Sequence, residues 1–344
     1  MSGLQNRPRS VPGQGQESCH PTVLREGPSF SSLIFRSPLS LVLLCALTFI
    51  AALFLLEGTG QAFWRTRDTW LWHLIFAFQP VLYVTSIAVV FKDFKAGNSS
   101  VWPGTCGARL AVVLCTALVV ALIALPVVFT RATQSPLHVQ LDAITQMPDS
   151  VMKWVVLVTL ATAVSALHLC GLFGAHIQLI GWLPEYLGQD EEPGPQNLDE
   201  DVRRYLRLRS QLQRFLGILA GINCVVILNA GSWSSLLEAR SHVRAELAPP
   251  SFIIAYGLYF TALLACCYLP AHNTLTKVGD LLANRLVRQS ISARTTWKEW
   301  SDEQQAVRTY LGLQGSALQE LQQSIAVLSP FIASISTLAL VGRG

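Results

Sequence analysis

Charge is scarce in this chain. Asp, Glu, Lys and Arg make up 13% of its 344 residues, whereas a soluble domain usually carries about 25%. The scarcity is uneven. None of the 46 charged residues falls within six apolar runs, at 39–56, 70–91, 110–129, 154–180, 215–230 and 252–269. Intramembrane carboxylates and basic groups mark pumps, proton relays and voltage sensors. Their absence from the runs argues against all three and leaves a passive pore open.

Other absences narrow the chemistry further. There is no P-loop, no glycine-rich dinucleotide turn, no HExxH and no GxSxG, so the chain reads as a non-enzyme. None of the eight cysteines lies in a segment expected on an oxidising face, which excludes a structural disulfide there. No cysteine pair has zinc-finger spacing. His73 and His168 sit at different depths, which does not suit a haem with two histidine ligands. His176 and His272 share a depth near the inner face, but two histidines alone make a thin metal site. No metal and no cofactor are expected. The basic residues form no single stripe, so nucleic acid is not an expected partner.

Hydrophobic residues are abundant, at 51%. A bilayer core roughly 30 Å thick needs about 20 apolar residues per helix. Backbone groups in lipid must also be paired within their own segment. The six runs are therefore expected to be transmembrane helices. The fold class is all-α, a multi-pass bundle of six spans with both termini cytoplasmic. Residues 1–36, rich in Ser, Pro, Gly and Gln, are expected to be a disordered cytoplasmic tail. Residues 37–270 would form the bundle and 271–344 a helical cytoplasmic region.

Charge placement orients the bundle. Nineteen of the 25 Lys and Arg residues fall in the terminal segments and in the loops after the second and fourth runs. These are the inner segments by the positive-inside rule. Trp64, Trp70, Trp72, Trp154 and Trp233 fall at outer ends, where indoles anchor helices in the headgroup layer. Arg outnumbers Lys by 20 to 5, which suits a GC-rich genome. The expected location is a bacterial cytoplasmic membrane.

Three uncharged polar residues, Gln79, His168 and Asn223, fall near the middle of the second, fourth and fifth runs. They are the candidates to line a path for a neutral or hydrophobic solute. Interhelical hydrogen bonding is the commoner use of such residues. Gly217 and Gly221 form GxxxG in the fifth run, and Gly257, Thr261 and Ala265 repeat the spacing in the sixth. Such stripes let helices approach closely.

The C-terminal region carries its own patterns. Leu275, Val278, Leu282 and Leu286 form an amphipathic stripe. Ser301 with Gln304 resembles a capping box. Leu318, Leu321, Ile325, Leu328, Ile332 and Ile335 follow a heptad-like 3-4 spacing. That seam is expected to pack back on the bundle from the cytoplasm, to join a homo-oligomer, or to insert as a seventh span, in that order. Beyond the lipid bilayer, another copy of the chain is the expected partner. The chain is thus expected to be a membrane component that self-assembles or binds a partner, with a channel or permease as the alternative.

Overall fold

The computed structural model describes residues 38–56, 67–95, 100–133, 150–188, 195–240, 250–290, 296–313, 325 and 327–336. The helices are α1 (Pro38–Leu56), α2 (Arg67–Val90), α3 (Cys106–Thr133), α4 (Ser150–Gly188), α5 (Pro195–Arg240), α6 (Pro250–Ser290) and α7 (Trp297–Tyr310). A 3-10 turn, Phe91–Phe94, follows α2. A short apolar helix, α8 (Val327–Ser336), follows α7. Among the described residues there is no strand. The chain divides into two compact units, Met1–Leu41 and Val42–Gly344, and the contacts discussed below lie in the second.

The architecture is a helical membrane bundle. Helices α2 to α6 are each long and apolar enough to cross a bilayer. The first expected span forms α1, whose apolar stretch Leu39–Leu55 is shorter. The outer surface supports this assignment. Leu110, Leu114, Leu118 and Leu125 of α3 are all more than half exposed. An apolar wall of that kind suits lipid and not water. Helix α5 is the most enclosed of the five, with half of its apolar window buried.

Helix length is where the structure exceeds the sequence expectation. Helix α5 has 46 residues and α6 has 41, which at 1.5 Å per residue is roughly 69 and 61 Å. A hydrocarbon core accounts for only about half of that. The remainder forms a stalk in which the first half of α5 packs on the second half of α6. The buried stripe of α5 runs from Leu198, Val202 and Tyr205 through Leu208 and Leu212 to Phe215 without a break. Leu275, Val278 and Leu282 of α6 face it, so the amphipathic stripe seen in the sequence is the stalk core. Pro270 lies within α6, which continues through it.

Local signals explain α7. Its N-cap is Thr296, and a reciprocal capping box joins Thr296 to Glu299. The box expected at Ser301 and Gln304 is not used, because the helix starts one turn earlier and Ser301 lies inside it. The earlier start lets Gln304 donate to Asn284 and Arg308 pair with Asp280 on α6. The helix ends in a Schellman turn. Leu313 N–H donates to Arg308 O at 2.8 Å and Gly312 N–H to Thr309 O at 2.9 Å. Gly312 takes φ +69°, the left-handed conformation that this turn requires.

At Gly171 of α4 the Phe215 ring of α5 occupies the space a Cβ would need. Gly171→Leu should therefore lower stability by about 1–3 kcal/mol, the usual cost of overpacking. The thermal midpoint in detergent should fall, and adding Phe215→Ala should restore part of it. An unchanged midpoint for the single variant would contradict this packing.

Candidate functional site

The three polar residues expected to share one path go to three different places. Gln79 is buried between α2 and α5. Its Oε1 accepts a 3.0 Å hydrogen bond from Asn229 Nδ2, and its Nε2 donates to the Tyr83 hydroxyl one turn along α2. Its partner on α5 is thus Asn229 and not Asn223. His168 is fully buried. Its Nδ1 lies 2.7 Å from Val164 O of its own helix, and its ring meets Phe215 edge-on at 6.2 Å. The imidazole also lies against the Ser86 backbone, although Nε2 has no partner of hydrogen-bond geometry among the described residues. Asn223 lines a separate cavity of about 20 Å³ with Ser165, Leu169 and Cys267. That is room for one water molecule.

Register explains why Asn229, and not Asn223, meets Gln79. Helices α2 and α5 run antiparallel. Trp72 stacks near Trp233 at 5.0 Å between centroids, toward one end. Asp93 pairs with Arg214 at 2.6 Å at the other. With both ends fixed, Gln79 can only lie level with the residues around 228. The missed signal was the pair of opposite charges flanking the second and fifth runs. Trp72 is 3% exposed, packed against His73, Phe76 and Trp233, and its indole N–H has no partner among the described residues.

The ion pair also revises the expectation of charge-free helices. Asp93 is 5% exposed, and its carboxylate accepts from both Arg214 and Gln211. The second and fifth runs were expected to stop at 91 and start at 215. The helical chain continues past both limits, and the bundle encloses the charges just beyond them. A collar forms around this pair. Val101 N–H donates to Asp93 O at 2.8 Å, and Gln178 Nε2 donates to Ser100 O at 3.1 Å. The Val101 carbonyl fills the space beside Gly174. Trp102, Phe94 and Phe215 stand in a row, with neighbouring centroids about 6 Å apart.

The arginines of α5 are also engaged. Arg204 lies over the Trp182 ring at 5.0 Å. Arg209 donates to Leu311 O at 2.7 Å, and its guanidinium occupies the space beside Gly312. What reads in sequence as an orientation signal is also a set of clamps. His176 faces the Thr274 hydroxyl, and His272 stacks on Tyr268. Among the described residues no three His, Cys, Asp or Glu side chains converge as a metal site would require.

The C-terminal seam faces the other way from the packed surface. Ile325, Leu328, Ile332 and Ile335 are each close to half exposed; Leu318 and Leu321 lie outside the described residues. The face of α8 that packs on the bundle carries Pro330, Ala333 and Ser334, which are buried. Ala333 contacts the cluster of Ile227, Ile253 and Phe260. Ser334 and Pro330 O fill the space beside Gly257. Of the two small-residue stripes, the one containing Gly257 and Thr261 thus receives a helix. At Gly217 and Gly221 a Cβ would meet nothing within 4 Å among the described residues.

These groups can tie helices together and can hold a water. No protein-family model matches the chain, and searches of curated proteins and of solved structures find no match to it.

Two substitutions test the interior. Asn229→Ala should cost about 0.6–1.7 kcal/mol, the range measured for hydrogen bonds between membrane helices. Asp93→Asn leaves Arg214 uncompensated. Because that guanidinium keeps partial access to solvent, the loss should fall at or below the low end of the buried-pair range, about 2–3 kcal/mol. Thermal or denaturant unfolding in detergent reads both. If Asp93→Asn proves less costly than Asn229→Ala, the ion pair is not the stronger tie.

Proposed function

We propose that this protein is a non-enzymatic integral membrane component that acts by assembling with copies of itself. The observation that carries this reading is the outward face of α8. Ile325, Leu328, Ile332 and Ile335 repeat at 3-4 spacing and stay close to half exposed, although the opposite face of the same helix is packed. Knobs at such spacing interlock with a like helix. The interior supports the same reading. Asn229 donates to Gln79, His168 is enclosed, and the cavity beside Asn223 has room for one water. On this reading the chain resides in a bacterial cytoplasmic membrane with its stalk inside, as the distribution of Lys and Arg favours.

The test is the mass of the purified protein in detergent and its subunit count in liposomes. The intact chain should form a defined oligomer. Leu328→Ala with Ile332→Ala should weaken association at least tenfold and leave the monomer folded. A monomeric intact chain would remove the proposal. In that event neutral-solute release from the same liposomes becomes the deciding measurement. Release that is lost on changing Gln79, His168 and Asn223 to Ala would establish the channel alternative.

A further inference from the structure

We infer that α8 is a membrane-embedded segment running antiparallel to α6, with its Ser336 end on the same face of the membrane as the start of α6. This inference rests on how α8 is seated and does not depend on the assembly reading.

The register is the first ground. Leu313, just after α7, packs against Gly279 of α6. Phe331 N–H donates to Thr261 Oγ1 at 3.1 Å. Ser334 fills the space beside Gly257. From Leu313 to Phe331 is 18 residues, and from Gly279 back to Thr261 is also 18. The two described contacts are thus offset by the same number of residues on both segments, with opposite chain direction. Gly279 lies in the stalk and Gly257 in the apolar part of α6, 22 residues and about 33 Å of rise away, so Leu313 sits at stalk level and Ser334 at membrane depth. Gly257 lies four residues after Ile253, where the apolar part of α6 begins. By the same register, Ser336 lies level with Tyr256, three residues inside that beginning.

The chemistry of the seat is the second ground. In lipid every polar group must find a partner within the protein. Ser334 Oγ donates to Phe331 O at 2.6 Å and Ser336 Oγ to Ile332 O at 2.9 Å, both within α8. The Ser329 side chain lies beside Cys224 of α5. Pro330 has no N–H to satisfy. Residues 325–336 contain no charged side chain. The helix thus enters the groove between α5 and α6 with its Ser334 and Ser336 hydroxyls satisfied and its apolar seam turned outward. Of the three expectations for this tail, insertion stands last, and it is the one this seat favours. The reason is the small-residue stripe of α6, which opens a groove at membrane depth and not at the stalk.

The experiment is a topology map of the full-length chain in sealed vesicles. One protease-cleavable tag follows Gly344. Two reference tags are placed singly in residues 241–249, before α6, and in residues 291–295, after it. The C-terminal tag should be cut from the face that cuts the 241–249 tag and be protected from the face that cuts the 291–295 tag. Cleavage together with the 291–295 tag would overturn the inference. A second measurement does not depend on tags. Ser329→Cys should form an intramolecular disulfide with the native Cys224 on mild oxidation, protecting both thiols from alkylation, and Cys224→Ala should abolish it. If the introduced thiol is instead alkylated from the stalk side by a membrane-impermeant maleimide, or links two chains, α8 is not seated in its own groove.

Discussion

The antiparallel pairing of α2 with α5 is the constraint on which the rest of the bundle depends. Three contacts set it: indole against indole, amide against amide, and carboxylate against guanidinium. Trp72 and Asp93 are 21 residues apart, roughly 31 Å along a helix, so the outermost contacts bracket one hydrocarbon core. Helices in lipid gain little from burying apolar surface against one another. Directional contacts must then choose among many registers of similar packing energy. The ion pair is the most selective of the three, since sliding either helix by a turn would strand two charges. The other elements follow from that choice. Phe215, next to Arg214, is presented to Gly171 and His168 on α4, and the 3-10 turn carrying Asp93 brings Val101 against Gly174.

The stalk follows from the same helices running on beyond the bilayer. Outside lipid, burial of apolar surface again stabilises packing, and the sequence of α5 changes accordingly. Its first half interleaves buried Leu198, Val202, Tyr205 and Leu208 with arginines and acids on the other faces. The transition occurs near Leu212 and Phe215 with no interruption of the buried stripe. Arg209 and Arg308 reinforce the far end by holding the α7 turn to α5 and α6.

Inside the bundle, Asn229 donates to Gln79, whereas the Trp72 indole N–H, His168 Nε2 and Asn229 Oδ1 are buried with no partner of hydrogen-bond geometry among the described residues. The small-residue groove of α6 accepts a helix of the same chain. The exposed apolar seam on that helix is the surface on which the proposed assembly rests.

Much of the architecture was legible from composition and charge. Long uncharged apolar runs can only be helices in lipid, because an unpaired backbone amide there costs several kcal/mol. That reasoning needs no tertiary information, and α2 to α6 follow from it. The stripe of Leu275, Val278 and Leu282 was legible for a similar reason, since periodicity alone specifies which face of a helix is apolar. Partner choice was not legible. Asn223 and Asn229 lie in the same run and look equivalent until the pairing of Asp93 with Arg214 fixes the register. Gly217-x-x-x-Gly221 and the stripe through Gly257 look alike as well, and among the described residues only the second receives a helix. The seam from Ile325 to Ile335 marks an apolar face without saying whether that face turns inward. Periodicity reports the faces of one helix. Which faces meet depends on contacts between residues far apart in the chain, and those were decided by the tertiary structure.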